Sequence, residues 1–125
     1  KIGYQKLLNI INKKKEKNIN KKKLLKYFKY FEKKDIKKLS TMFANNIILK
    51  DWNISVKGIF HVINFNKEIF KDLKYIKIKK NNIYSSNNTF FVELVLISRK
   101  IKIKILDKIR FNNLGKIVEI SAYKM

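Results

Sequence analysis

Odd positions from Ile101 to Phe111 read Ile, Ile, Ile, Asp, Ile, Phe, while the positions between them are basic at Lys102, Lys104, Lys108 and Arg110. A period of two held over this length fits a strand with one face on a core and the other in solvent. Asp107 sits in the phase of the isoleucines, so it points inward. An unpaired charged carboxylate is costly to bury, and the usual relief is a raised pKa. The neutral acid that results can donate a hydrogen bond. A plainer reading of the same position is an acid paired with a buried amide or a lysine.

The rest of the chain supplies what such a strand needs. Leu24, Tyr27, Phe28 and Phe31 recur at helical spacing, the stripe of an amphipathic helix. A second helix is expected in DIKKLSTMF, with Asp35 as N-cap and Ile36, Leu39, Met42 and Phe43 on one face. After Asn45–Asn46 the period becomes two. Ile47, Leu49 and Asp51 share a strand face, and a short strand around Ser55–Lys57 leads to Gly58. GIFHVINFNKEIFKDL reads as a third helix with Val62, Phe65, Ile69 and Leu73 inward. YIKIK, TFFVELVLIS, KIKILDKIRF and KIVEISAY read as strands, the last two joined by a turn at Asn112–Gly115. Helices first and a meander last make an α+β order.

A chain of 125 residues is one domain by length, and its 46% apolar residues suffice for a core. Residues 1–23 are Lys- and Asn-rich around Leu7, Leu8, Ile10 and Ile11, and suggest a mobile or peripheral helix ahead of a domain over 24–125. KIGYQKLLNII makes a poor signal peptide, and no apolar run is long enough to span a membrane.

The formal net charge is +22. A field of that size draws nucleic acid or an anionic surface. However, Arg99 and Arg110 are the only arginines among 31 basic residues, and arginine is the preferred reader of phosphates and bases. With abundant Asn and Ile and no Pro, the lysines read as compositional drift, and nucleic acid is an unexpected partner. The absence of cysteine removes disulfides, thiolate metal sites and thiol nucleophiles, and fits a reducing, cytoplasmic setting. One histidine, His61, makes a zinc site improbable and reads as structural. Three glycines are too few for a phosphate-cradling loop, and no nucleotide or triad motif occurs. No cofactor or metal is expected.

Two more residues share Asp107's situation. Asp51 lies on an apolar face at a strand end, where an acid serves either a pocket or a turn. Tyr27 lies on the buried helix stripe, as plain core or as a hydroxyl in search of a partner. Glu93, between Phe91 and Val95, reads as an outward residue on a covered face, with a third pocket acid as the alternative.

YFKYFEKKDIKKLSTMFANNIILKD resembles the opening of SnoaL-like and ketosteroid isomerase-like domains of the nuclear transport factor two-like superfamily, and DKIRFNNLGKIVEISAY resembles their last hairpin. The resemblance covers roughly 24–125. It implies a cystatin-like cone, a curved mixed or antiparallel sheet with about three helices enclosing a pocket, and a homodimer formed through the outer sheet face. Residue by residue, it makes Tyr27 the oxyanion-binding tyrosine, Asp51 the general base, and Asp107 the acid kept protonated to donate a hydrogen bond, an arrangement well described for that isomerase. Trp52, Phe31, Phe65 and Ile105 would wall the pocket, and its occupant would be a small apolar or carbonyl-bearing molecule. The functional expectation is proton abstraction beside a carbonyl. A non-catalytic ligand-binding module is the alternative, and a basic surface over residues 13–38 is a third.

Overall fold

A computed structural model of the chain describes residues 3–125. One helix, α1 (Tyr4–Glu32), opens them. It runs unbroken through Leu24, so the Lys-rich stretch and the start of the domain share a single element. Its C-terminal half behaves as the stripe requires: Asn20, Leu24, Tyr27 and Phe28 are buried. The helix ends where Lys34 takes a left-handed φ of 57°. Asp35 then caps α2 (Ile36–Met42), its carboxylate accepting the Lys38 amide at 3.0 Å.

Phe43, expected to close the apolar face of α2, instead begins β1 (Phe43–Lys50). Phe43 and Ala44 are buried, Asn45 and Asn46 are exposed, and Ile47 and Leu49 are buried again. The register against the partner strand shifts between Phe43 and Ile48, the interval that contains the two asparagines. The short β2 (Ser55–Lys57) folds back on β1. Gly58 then adopts a φ of 94° and donates its amide to the Ile47 carbonyl at 2.7 Å, turning the chain into α3 (Ile59–Asp72). A side chain at that φ would be strained.

The remaining strands are β3 (Lys77–Ser86), β4 (Thr89–Ser98), β5 (Ile101–Phe111) and β6 (Ile117–Lys124). The six form one sheet in the order β2-β1-β6-β5-β4-β3, with β1 and β6 the parallel pair and the others antiparallel. β3 is twice the length of the YIKIK segment that marks it in sequence. Its second half is polar and mostly exposed because it is an edge strand, and Lys77, Lys79 and Lys80 lie along it. Charged edges of this kind block pairing with other chains. The turn after β5 is closed by Asn112, whose side chain accepts the amides of Leu114 and Lys116, while Gly115 takes a φ of 73°.

The three helices cover one face of the curved sheet. Between them lies a core in which Leu24, Leu39, Ile47, Val62, Val92, Ile109 and Ile117 are fully buried. The packing is not complete: α1, α3 and the middle of the sheet leave a cavity.

Candidate functional site

The cavity holds about 260 Å³ and is lined mainly by apolar side chains. α1 contributes Tyr27, Phe28 and Phe31, and α3 contributes Phe65, Asn66 and Ile69. Ile103, Ile105 and Asp107 come from β5, and Asp51 and Trp52 from the loop after β1. The seven residues singled out from sequence (Tyr27, Asp51, Asp107, Trp52, Phe31, Phe65 and Ile105) therefore meet at one cavity.

Asp107 takes the phase the alternation dictates. It sits in mid-sheet, opposite Val92 on one side and Ala122 on the other, on the face that carries Ile103 and Ile105 into the cavity. Among the described residues it has neither an ion-pair partner nor a hydrogen bond, so the plainer reading of a lysine- or amide-paired acid is not what is found. It is partly accessible, but its surroundings are hydrocarbon, and burial pushes its carboxyl up from 3.8 to about 7. Near neutral pH, much of it is a protonated donor.

Tyr27 is 5% exposed and packs edge-on against Phe28 with ring centroids 5.2 Å apart. Its hydroxyl has no hydrogen bond among the described residues. Burial first, and the nearby Asp107 charge second, raise its pKa well above the ordinary tyrosine value. The phenol therefore stays protonated throughout the physiological range.

Asp51 is built differently. Its Oδ1 accepts the amides of Asn53 and Ile54, both at 2.7 Å, and its own amide donates to the Ile54 carbonyl at 2.9 Å. The acid closes the turn that follows β1, as a strand-end carboxylate often does. It also lines the cavity. Among the described residues Oδ2 accepts no hydrogen bond, which leaves that oxygen free for chemistry. Trp52 is 43% exposed, so it stands at the rim rather than in the wall, with the Lys124 ammonium 6.0 Å from its ring centroid.

One polar lining residue escaped the sequence reading. Asn66 is 1% exposed, and its Nδ2 has no partner among the described residues. The buried residues of α3 are Val62, Asn66 and Phe70, a strict i, i+4, i+8 line, with Phe65 and Ile69 beside it. Centring the apolar stripe on Val62 and Phe70 rather than on Phe65 would have exposed the anomaly. His61 is exposed and leans edge-on against Phe60, away from the cavity. Glu93 faces outward and accepts from the Asn82 amide at 3.0 Å.

No family model and no curated protein matches this sequence. Solved structures do match. An NTF2-like protein of unknown function from Cytophaga hutchinsonii aligns over 85% of this chain and 89% of its own, at 10% identity and a TM-score of 0.74. A protein described as a SnoaL-like polyketide cyclase from Jannaschia sp. aligns over 84% of each chain, at 13% identity and a TM-score of 0.75. One described as a ketosteroid isomerase from Kribbella flavida aligns over 82% of this chain and 74% of its own, at 11% identity and a TM-score of 0.70. At such identities the likeness establishes the fold, and this chain has the NTF2-like fold, the α+β cone around a pocket expected from its sequence.

Proposed function

We propose that the cavity binds a small, mostly apolar molecule through a carbonyl oxygen, and that the chain abstracts a proton from the carbon beside that carbonyl. The observation that carries this reading is that the Tyr27 hydroxyl and the Asp107 carboxyl, neither with a hydrogen-bond partner among the described residues, line one apolar cavity together with Asp51. Two donors aimed at one oxygen stabilise the negative charge that develops there as an enolate forms, and a dry site strengthens both bonds. The Oδ2 atom of Asp51 would take the proton. Its other oxygen, held by two amides, fixes the direction from which it acts. Similarity in fold to proteins described as polyketide cyclases and ketosteroid isomerases supports the class of chemistry and leaves the substrate open.

A second reading rests on the same turn. Because Asp51 closes the loop after β1, its presence has a structural reason that requires no catalysis. In that case the cavity would retain a ligand without turning it over.

Deuterium exchange separates the two. Cyclic ketones incubated with the protein in D2O should lose their α-proton NMR signals faster than in buffer. Asp51→Asn keeps an oxygen for the two amides and should abolish the excess rate while leaving affinity for 2-naphthol, an enolate mimic, intact. Naphthol binding without exchange for any ketone would leave the binding module as the function.

A further inference from the structure

We infer that the N-terminal half of α1 is a docking surface for an anionic lipid layer, on which it lies flat. The fold gives this half nothing to do. Between Gly3 and Ile19 no residue is buried, and the core begins only at Asn20. Its composition is nevertheless patterned. At about 100° per residue, Tyr4, Leu7, Leu8, Ile10 and Ile11 fall on one arc of roughly 160°, and Gln5, Lys6, Asn9 and Asn12 take the rest. That arc is centred roughly 140° around the helix axis from the stripe that meets the core at Asn20, Leu24, Tyr27 and Phe28. Tyr4 is 76% exposed, Leu7 49%, Ile10 45% and Ile11 40%.

Immediately beyond the arc stand Lys13, Lys14, Lys15 and Lys17, then Lys21 and Lys22, opposed only by Glu16, while Lys23 is half-buried and donates to the Gly115 carbonyl at 3.0 Å. A partner must therefore offer an apolar medium and negative charge within a few helical turns of each other. An anionic lipid surface does both: the apolar arc enters the acyl boundary, while the lysines reach the headgroups along their methylene stems.

A second copy of the chain fits poorly. The arc covers two turns, short of the three or four heptads a coiled coil needs, and pairing would bring like-charged lysine blocks together. Nucleic acid would use the lysines but leave the arc without a role. Lying on a membrane is distinct from crossing one: among the described residues no helix is long and apolar enough to span a bilayer.

Co-sedimentation of the full chain with vesicles tests the assignment. Binding is expected to phosphatidylcholine vesicles carrying about a third phosphatidylserine, and not to phosphatidylcholine alone, since the attraction is largely electrostatic. Leu7→Asn with Ile11→Asn should weaken binding by roughly tenfold, because both side chains enter the acyl boundary. Changing Lys13, Lys14, Lys15 and Lys17 to Gln should cost about fivefold per lysine. All these positions lie outside the core, so neither variant should shift the melting temperature. Vesicle binding that ignores the Leu7/Ile11 change would overturn the inference. So would preferential binding of a short single-stranded RNA, unaffected by that change, which would mark the helix as a nucleic-acid arm. Failure to bind anionic vesicles at all would end it outright.

Discussion

The charge of Asp107 bears on Tyr27: it is the second cause, after burial, of the rise in the tyrosine's pKa, so the two groups share one pocket and one electrostatic fate. Burial among hydrocarbon disfavours ionisation of both groups, and a charged Asp107 adds to the effect on Tyr27. The consequence is a site that favours protons on both oxygens. It can offer two hydrogen bonds to an incoming acceptor without any metal or basic side chain.

The acid of this pair should leave a signature in stability. Its folded pKa of about 7 lies above the ordinary 3.8. The native state therefore holds the proton more tightly than the unfolded chain, and this contribution is fully present below about pH 4. It is lost as pH rises through about 7, with a ceiling of about 4 kcal/mol for a shift of this size. Asp107→Asn cannot ionise. Its melting temperature should match wild type near pH 4 and exceed it near pH 8. Parallel curves for the two proteins across that range would mean that Asp107 is not desolvated.

Ligand affinity should follow the same proton. Naphthol or ketone binding, measured by fluorescence or calorimetry, should weaken as pH passes about 7, because the Asp107 donor becomes an acceptor facing the ligand oxygen. Tyr27→Phe keeps the ring that packs on Phe28 and removes the second donor. A loss of roughly tenfold in affinity is expected, the worth of one hydrogen bond to a partly charged oxygen. Unchanged affinity would show that the ligand oxygen sits elsewhere in the cavity.

Much of the fold and part of the site were legible in sequence for a physical reason: burial imposes a period. Asp107 stands out because five other residues of its strand face are apolar, and Tyr27 because its helix stripe is unambiguous. Two features stayed hidden. The second half of β3 is an edge strand exposed to water, so no hydrophobic pattern marks it, and it is held by backbone hydrogen bonds to β4. Asn66 was hidden by its neighbours, since Phe65 and Ile69 draw the apparent stripe about a quarter turn away from the true line of buried residues. For Asp51 the sequence offered a pocket acid or a turn acid, and that it lines the cavity and closes the turn at once depends on a loop whose path only the fold sets.

Asn66 should prove a liability to the empty protein. A buried amide group without a partner costs roughly 1–3 kcal/mol, and among the described residues Nδ2 has none. Asn66→Leu should raise stability in urea by an amount of that order, with the adjoining cavity taking the added volume. If the variant also loses naphthol affinity, the amide belongs to the ligand's binding site. A destabilised variant would mean instead that Leu cannot be housed there.

Asp51 allows structure and chemistry to be separated with two substitutions. Asp51→Ala removes both 2.7 Å bonds that close the turn after β1, and should destabilise the chain by about 1–2 kcal/mol, as the loss of a capping acid does. Asp51→Asn keeps an acceptor for the same amides and should unfold close to the wild-type midpoint. If Asp51 is the base, both variants lose ketone exchange equally, by at least about a hundredfold, although only one is unstable. If the acid serves the turn alone, Asp51→Asn retains whatever activity the wild type shows. Urea titration beside exchange kinetics on the two variants therefore reads the two roles of one carboxylate independently.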